Sequence, residues 1–149
     1  MEELSKVDAS ASVMVSVNNS LVCWGLETYG TEAQKEKYYL LNGTKNWITN
    51  GGRAEIFLVI AQTDVEKGHH GINALIVEKG MEGFEIGPKE NKLGIRGSDT
   101  HSLLFNDVKV PKENRIGDDG FGFKFAMKTL AGGRIGIAAQ ALGIAAGAY

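Results

Sequence analysis

The chain has 149 residues, of which 43% are hydrophobic and 23% charged, and its formal net charge is −2. That length suffices for one domain with a sizeable core, and the balance excludes a disordered or low-complexity chain. Lysines and arginines are scattered, so no basic stripe is present to neutralise phosphates, and a nucleic-acid binder is excluded as well.

Cys23 is the single cysteine. No intrachain disulfide can form, which fits a reducing compartment. The opening MEELSKVDAS carries acidic groups and no apolar run, unlike a secretory leader. No apolar run reaches about 18 residues, so no membrane span is expected. The nearest candidate, residues 135–149, is mostly glycine and alanine and contains Gln140. Glycine is over-represented, with 20 of 149 residues, about twice the usual ~7%. Many turns or close backbone approaches are therefore expected.

In chain order, residues 1–38 read as helical. Leu4, Val7, Ala11, Met14, Val17 and Leu21 recur at spacings of three and four and make one apolar face. Val13, Val15 and Val17 alternate as in a strand, but the longer helical period decides between the two. Gly30 ends this helix, and Thr31 with Gln34 fits a capping box for a short second one.

Residues 39–117 form a β region. Asn42-Gly43 between strand-like runs predicts a hairpin turn. Further strands are expected at 54–63 (AEIFLVIAQT), 72–77 (INALIV) and 102–110 (SLLFNDVKV), the last ending at Pro111. The connections at 64–71 and 79–83 are short and polar. Several short strands separated by turn signals predict an antiparallel sheet or barrel, not βαβ units. From 118 onward the pattern is helical. Phe121, Phe125, Leu130, Ile135, Ala138, Leu142, Ala145 and Tyr149 fall mostly on one face. The fold class expected is α+β, an antiparallel middle domain flanked by helices. Both flanking helices present apolar faces that need partners, so the chain reads as a piece of a larger protein that forms a homo-oligomer.

Four stretches are candidates for chemistry. In Trp47-Ile48-Thr49 an indole and a hydroxyl lie between Asn-Gly turns. An indole stacks on a planar ring and a threonine bonds its polar edge, which suits a flavin; a strand tryptophan is also a common core residue. The stretch GIRGSDT (94–100) is either an anion-binding nest around Arg96 or a turn with a solvated arginine. The run GDDGFG (117–122) has the wrong glycine order for a dinucleotide loop and no βαβ context, so it reads as a strand-to-helix connection. Gly132 and Gly133 lie inside the last helix, where each costs about 1 kcal/mol against alanine. Close packing or a bound ligand explains such a cost. His69, His70 and His101 match no zinc spacing and read as solvated loop residues.

Taken together, SVNNSL (16–21), LNGTKNWITN (41–50), KLGIRGSDT (92–100), FNDVKVPKENRIG (105–117), GFGFKFAMKTL (120–130) and GRIGIAAQALGIA (133–145) resemble the acyl-CoA dehydrogenase family, in its short-chain (butyryl-CoA) branch. The resemblance covers almost the whole chain. It implies an N-terminal helical domain (1–38 here), a middle β-domain (39–117) and a C-terminal helical domain of which 118–149 is the first helix, assembled as a homotetramer. It implies FAD as cofactor, acyl-CoA as substrate, oxidation to the trans-2-enoyl thioester, and electron-transferring flavoprotein as electron acceptor. It assigns Trp47, Ile48 and Thr49 to the flavin, and Ala131, Gly132, Gly133 and Arg134 to the acyl-CoA. It places the protein in a bacterial cytoplasm or, as an alternative, the mitochondrial matrix.

The chain departs from the family's pattern in four places. The preceding helices are absent, as are the later helices with the catalytic glutamate. Tyr38 joins directly to Tyr39 where the family has a connector and a strand bearing a Ser-Glu-Pro and Gly-Ser-Asp signature. Ala131 stands where short-chain members usually carry aspartate. The isolated chain is therefore expected to lack turnover. The rival expectation is a non-catalytic β-domain that binds subunits or a ligand.

Overall fold

The computed structural model describes residues 38–149. The helices and capping box expected over residues 1–37 lie outside them. Six strands and one long helix follow in order: β1 (Tyr38–Thr49), β2 (Ile56–Gln62), β3 (Ile72–Glu78), β4 (Phe84–Lys89), β5 (Thr100–Pro111), β6 (Arg115–Ile116) and α1 (Gly122–Ala148). Among the described residues the strands form two antiparallel sheets, β1-β5-β4 and β2-β3-β6. The α+β class with an antiparallel β-domain is thus observed.

The sheets bury Leu41, Phe57, Val59, Leu75, Val77, Leu103, Phe105, Val108 and Val110 as one core. Phe84 binds the layers. Its ring lies edge-on to Phe57 at 5.0 Å and stacked on Phe105 at 5.1 Å, geometries that aromatic quadrupoles favour. Strand β2 reads as a continuous apolar run because it is covered on both faces. Phe57 and Val59 enter the inter-sheet core, while Leu58 and Ile60 pack with Ala74, Ile116, Phe121 and Phe125 on the helix side.

The hairpin expected at Asn42-Gly43 is not formed. Strand β1 runs straight through it, paired with β5 from Tyr38↔Pro111 to Thr49↔Thr100. The dipeptide instead faces a β-bulge. Asn42 alone opposes Asn106 and Asp107, whose backbone turns left-handed at Asp107 (φ 52°). The Asn42 amide closes the bulge, donating to Asp107 Oδ1 and accepting from Asp107 N, both at 2.9 Å. A second bulge lies on β1, where Asn46 and Trp47 oppose Ser102.

The GDDGFG run makes the expected strand-to-helix connection, held by buried Asn73. Its Nδ2 donates to Thr63 Oγ1 (2.7 Å) and Asp119 Oδ1 (2.9 Å), and its Oδ1 accepts from Gly120 N (2.9 Å). Helix α1 starts where Gly122 meets the Asn73 backbone so closely that a Cβ would collide with it.

The inward stripe of α1 differs from the expected one. Phe125, Thr129, Gln140 and Gly143 are buried, whereas Leu130, Ile135 and Leu142 are exposed, Ile135 at 75%. A helix this rich in alanine and glycine offers several candidate stripes, and large side chains alone do not select among them. By length and composition α1 is also apolar enough to cross a membrane, which counting of apolar runs had excluded. Its first turns pack on β2 and β3 of the described domain.

Candidate functional site

The bulge at Asn46-Trp47 decides what the end of β1 presents. Trp47 has φ 60°, a left-handed backbone that is unusual for a bulky residue and that bulges impose. The indole swings out of the core and is 63% exposed. Core packing therefore does not explain this tryptophan.

Trp47, Ile48 and Thr49 line a cavity of about 450 Å³ between β1, β2 and the first turns of α1. Ile56, Leu58, Phe125 and Leu130 supply apolar walls, and Lys45, Asn50 and Thr129 the polar groups. Lys45 is tied down, its Nζ donating to Ile60 O at 2.7 Å. Thr129 Oγ1 donates back to Phe125 O. No carboxylate and no imidazole is among the lining residues. Ala131, Gly132, Gly133 and Arg134 follow one turn further along α1. Ala131, Gly132 and Arg134 are exposed, Gly133 is half-buried, and none lines the cavity. The structure brings the first three site candidates together and leaves the other four just outside. A Cβ at Gly132 would meet nothing within 4 Å, so close packing does not account for that glycine.

Beyond Thr49 the chain turns at Asn50-Gly51-Gly52 and lies on the GIRGSDT loop. Asn50 N donates to Asp99 O at 2.7 Å, and Gly52 N to Asp99 Oδ2 at 3.0 Å. His101 Nε2 lies 3.1 Å from Asp99 Oδ1 and Nδ1 2.7 Å from Gly87 O. Side chains added at Gly51 or Gly52 would run into His101. Burial pushes the Asp99 carboxyl up. The hydrogen bonds from His101 and Gly52 and the charges of His101 and Lys89 outweigh it and hold the carboxyl below its ordinary value. His101 is thus not the solvated loop histidine expected; its side chain is 15% exposed. The Asp-x-His proximity was visible only as spacing, because the acceptor Gly87 comes from another strand.

The rest of the GIRGSDT loop is a turn. Arg96 is exposed and its Nε donates to Lys92 O at 3.1 Å, while Lys92 Nζ donates to Ser98 O and Thr100 Oγ1. That bond uses one of the five N–H donors of the guanidinium and turns the arginine back onto its own loop. Among the described residues no group of three or more His, Cys, Asp or Glu is placed to hold a metal.

The described residues define an antiparallel β-domain that delivers an indole and a hydroxyl to a cleft against a helix. Residues 24–108 match the acyl-CoA dehydrogenase middle domain and residues 1–40 the N-terminal domain of the same family. The chain belongs to the acyl-CoA dehydrogenase family. It is 45% identical to the short-chain specific acyl-CoA dehydrogenase of Megasphaera elsdenii, covering 97% of this chain and 48% of that protein. It is 46% identical to that of Clostridium acetobutylicum, covering all of this chain and 49% of the relative. The structure of butyryl-CoA dehydrogenase from M. elsdenii superposes with a TM-score of 0.91 at 44% identity, over 99% of this chain and 48% of that one. A chain from work on the electron transferring flavoprotein of Acidaminococcus fermentans superposes at 0.92, also at 44% identity, with the same coverage. The chain spans about half the length of the curated relatives it matches. The matches to the two bacterial relatives extend over 183 and 186 residues, longer than the 149-residue chain, so the relatives carry residues inside the match that have no counterpart here.

Proposed function

We propose that this chain is part of an FAD-dependent acyl-CoA dehydrogenase that oxidises short-chain acyl-CoA to the trans-2-enoyl thioester. The observation that carries this reading is the bulge that turns Trp47 out of the core and into the apolar cavity beside Thr49. A cavity of about 450 Å³ accommodates a flat ring system of isoalloxazine size but not a whole dinucleotide. The chain therefore fits one end of the cofactor and leaves its diphosphate to parts of the protein outside these residues. When bound, the flavin supplies the acceptor for the hydride that leaves the β-carbon.

The chain's own groups bind and orient. Trp47 offers a face for stacking, Ile48 fixes the strand end, and Thr49 presents a hydroxyl that no described side chain engages. The strip Ala131, Gly132, Gly133 and Arg134 presents little side chain besides the arginine, so a thioester approaches α1 closely there. With alanine at 131, the polar contact that an aspartate makes is missing. Removal of the α-proton needs a base within hydrogen-bond reach, and no lining residue is one. The isolated chain accordingly binds without turning over. Residues without counterpart fall, on this reading, at the Tyr38-Tyr39 junction. The whole enzyme is a homo-oligomer that passes electrons to an electron-transferring flavoprotein, in a bacterial cytoplasm or the mitochondrial matrix.

The test is the visible absorption spectrum of the purified chain after addition of FAD and gel filtration. A retained flavin band supports the half-site, and its absence overturns it. Steady oxidation of butyryl-CoA with an artificial acceptor overturns the inactivity. A second reading, a non-catalytic β-domain for subunit association, is favoured by the apolar side chains that α1 exposes, Ile135, Ile137 and Leu142 among them. Colourless oligomers would select it.

A further inference from the structure

We infer that Asp99 and His101 form a proton-dependent clasp that positions the turn carrying Thr49 and Asn50 at the mouth of the cavity. It rests on the reading of Thr49 as a ligand-facing group, and it places His101 as a positioning residue, not a catalytic one. Three observations converge. First, Asp99 holds the turn twice, by its backbone carbonyl to Asn50 N and by its carboxylate to Gly52 N. Second, the two glycines of the turn allow a contact that no other residue would. A Cβ at Gly51 would lie 2.8 Å from His101 Cβ, and one at Gly52 would lie 2.7 Å from His101 Nε2. The Asn-Gly-Gly sequence is thus fitted to the imidazole.

Third, both ring nitrogens of His101 face oxygens that only accept. Nδ1 faces the Gly87 carbonyl and Nε2 the Asp99 carboxylate. Only a ring with a proton on each nitrogen satisfies both. A neutral ring sets a lone pair against one of the oxygens and releases either the β4 side or the Asp99 side of the clasp. The charged groups around it are few. Lys89 stands opposite His101 on β4 and acts on Asp99; Lys92 is bonded to Thr100 Oγ1 and Ser98 O, and Glu90 pairs through its backbone N with Thr100 O. Arg53 is the charged residue of the turn itself.

Nitrogen-15 NMR of the full chain, without added flavin, tests the clasp. The amide protection factors of Asn50 and Gly52 are expected to fall about tenfold as the ring loses one proton. In His101→Gln the ring titration is gone, and these protection factors are expected to be flat with pH. Asp99→Asn puts an amide N–H₂ toward Nε2 and is expected to shift the ring to the neutral tautomer with its proton on Nδ1. Protection that is unchanged across the His101 titration overturns the clasp, as does protection that still varies with pH in His101→Gln. Because no flavin is used, a failure of FAD binding leaves this test decisive, and a failure of the clasp leaves the flavin half-site standing.

Discussion

Lys45 on β1 donates its ammonium to the carbonyl of Ile60 on β2 at 2.7 Å, and so bridges the two sheets along the rim of the cavity. The bond occupies a carbonyl on the outer edge of β2, which is the terminal strand of its sheet among the described residues. A charged side chain at such an edge also discourages strand addition.

Replacing Lys45 by methionine keeps the aliphatic stem and removes the donor. A charge-assisted hydrogen bond of this kind contributes about 1.5–3 kcal/mol. Partial exposure of the site puts the expected loss below that range, at about 1 kcal/mol. Urea denaturation of the two proteins measures it, and an unchanged midpoint would show that the bridge contributes nothing.

Trp47→Ala separates a ligand platform from a core residue by magnitude. A buried tryptophan truncated to alanine costs about 3–5 kcal/mol. With the indole 63% exposed, the expected cost is under about 1 kcal/mol, and retention of FAD on gel filtration is expected to disappear. A loss of several kcal/mol in thermal denaturation would return the indole to the core.

Two glycines of α1 predict opposite signs. Gly122→Ala drives a Cβ into the Asn73 backbone and is expected to destabilise by about 2 kcal/mol or more, as overpacking against backbone does. Gly132→Ala meets open space and is expected to stabilise by about 0.5–1 kcal/mol from helix propensity alone. If both changes lower the melting temperature, Gly132 holds a constraint beyond its own helix.

The acid limb of stability follows from Asp99. Its carboxyl is held below the ordinary value of 3.8 in the folded chain. The unfolded chain therefore binds the proton first, so the contribution is fully present above about pH 4 and fades as pH falls through the lower folded value. Asp99→Asn is expected to flatten the stability profile below about pH 4, where the wild-type carboxylate takes up its proton. A wild-type profile already flat there would contradict the shift.

Much of the fold was legible because burial and period agree. The runs at 54–63, 72–77 and 102–110 became β2, β3 and β5 with ends moved by one or two residues. Strand β4 went unread, since Gly87-Pro88 looks like a turn when the pairing with β5 is unknown. Asn42-Gly43 misled for the opposite reason. The local signal for φ > 0 was real, with Gly43 at 130°, but a bulge uses it as readily as a hairpin does. Of the site, the side-chain chemistry of Trp47-Ile48-Thr49 left flavin and core open, and the family resemblance chose the flavin. That the indole faces out depends on a bulge partner in β5 more than fifty residues away, and no local pattern carries that. His101 was dismissed because its partners come from Gly87 and Asp99, one of them on a different strand.

The two bulges of the β1–β5 ladder have a genetic reading. One places an extra residue in β5 at Asn106-Asp107, the other an extra residue in β1 at Asn46-Trp47. Between Tyr38↔Pro111 and Thr49↔Thr100 both strands therefore consume the same length of chain. Each inserted residue reverses which side chains face the core, and the second restores what the first reversed. Loss of a single codon at either place throws the intervening stretch out of phase. Loss of one codon at each place restores it, while swinging the indole at position 47 away from the cleft. The pair of bulges thus sets the direction of the indole and preserves the strand register at the same time.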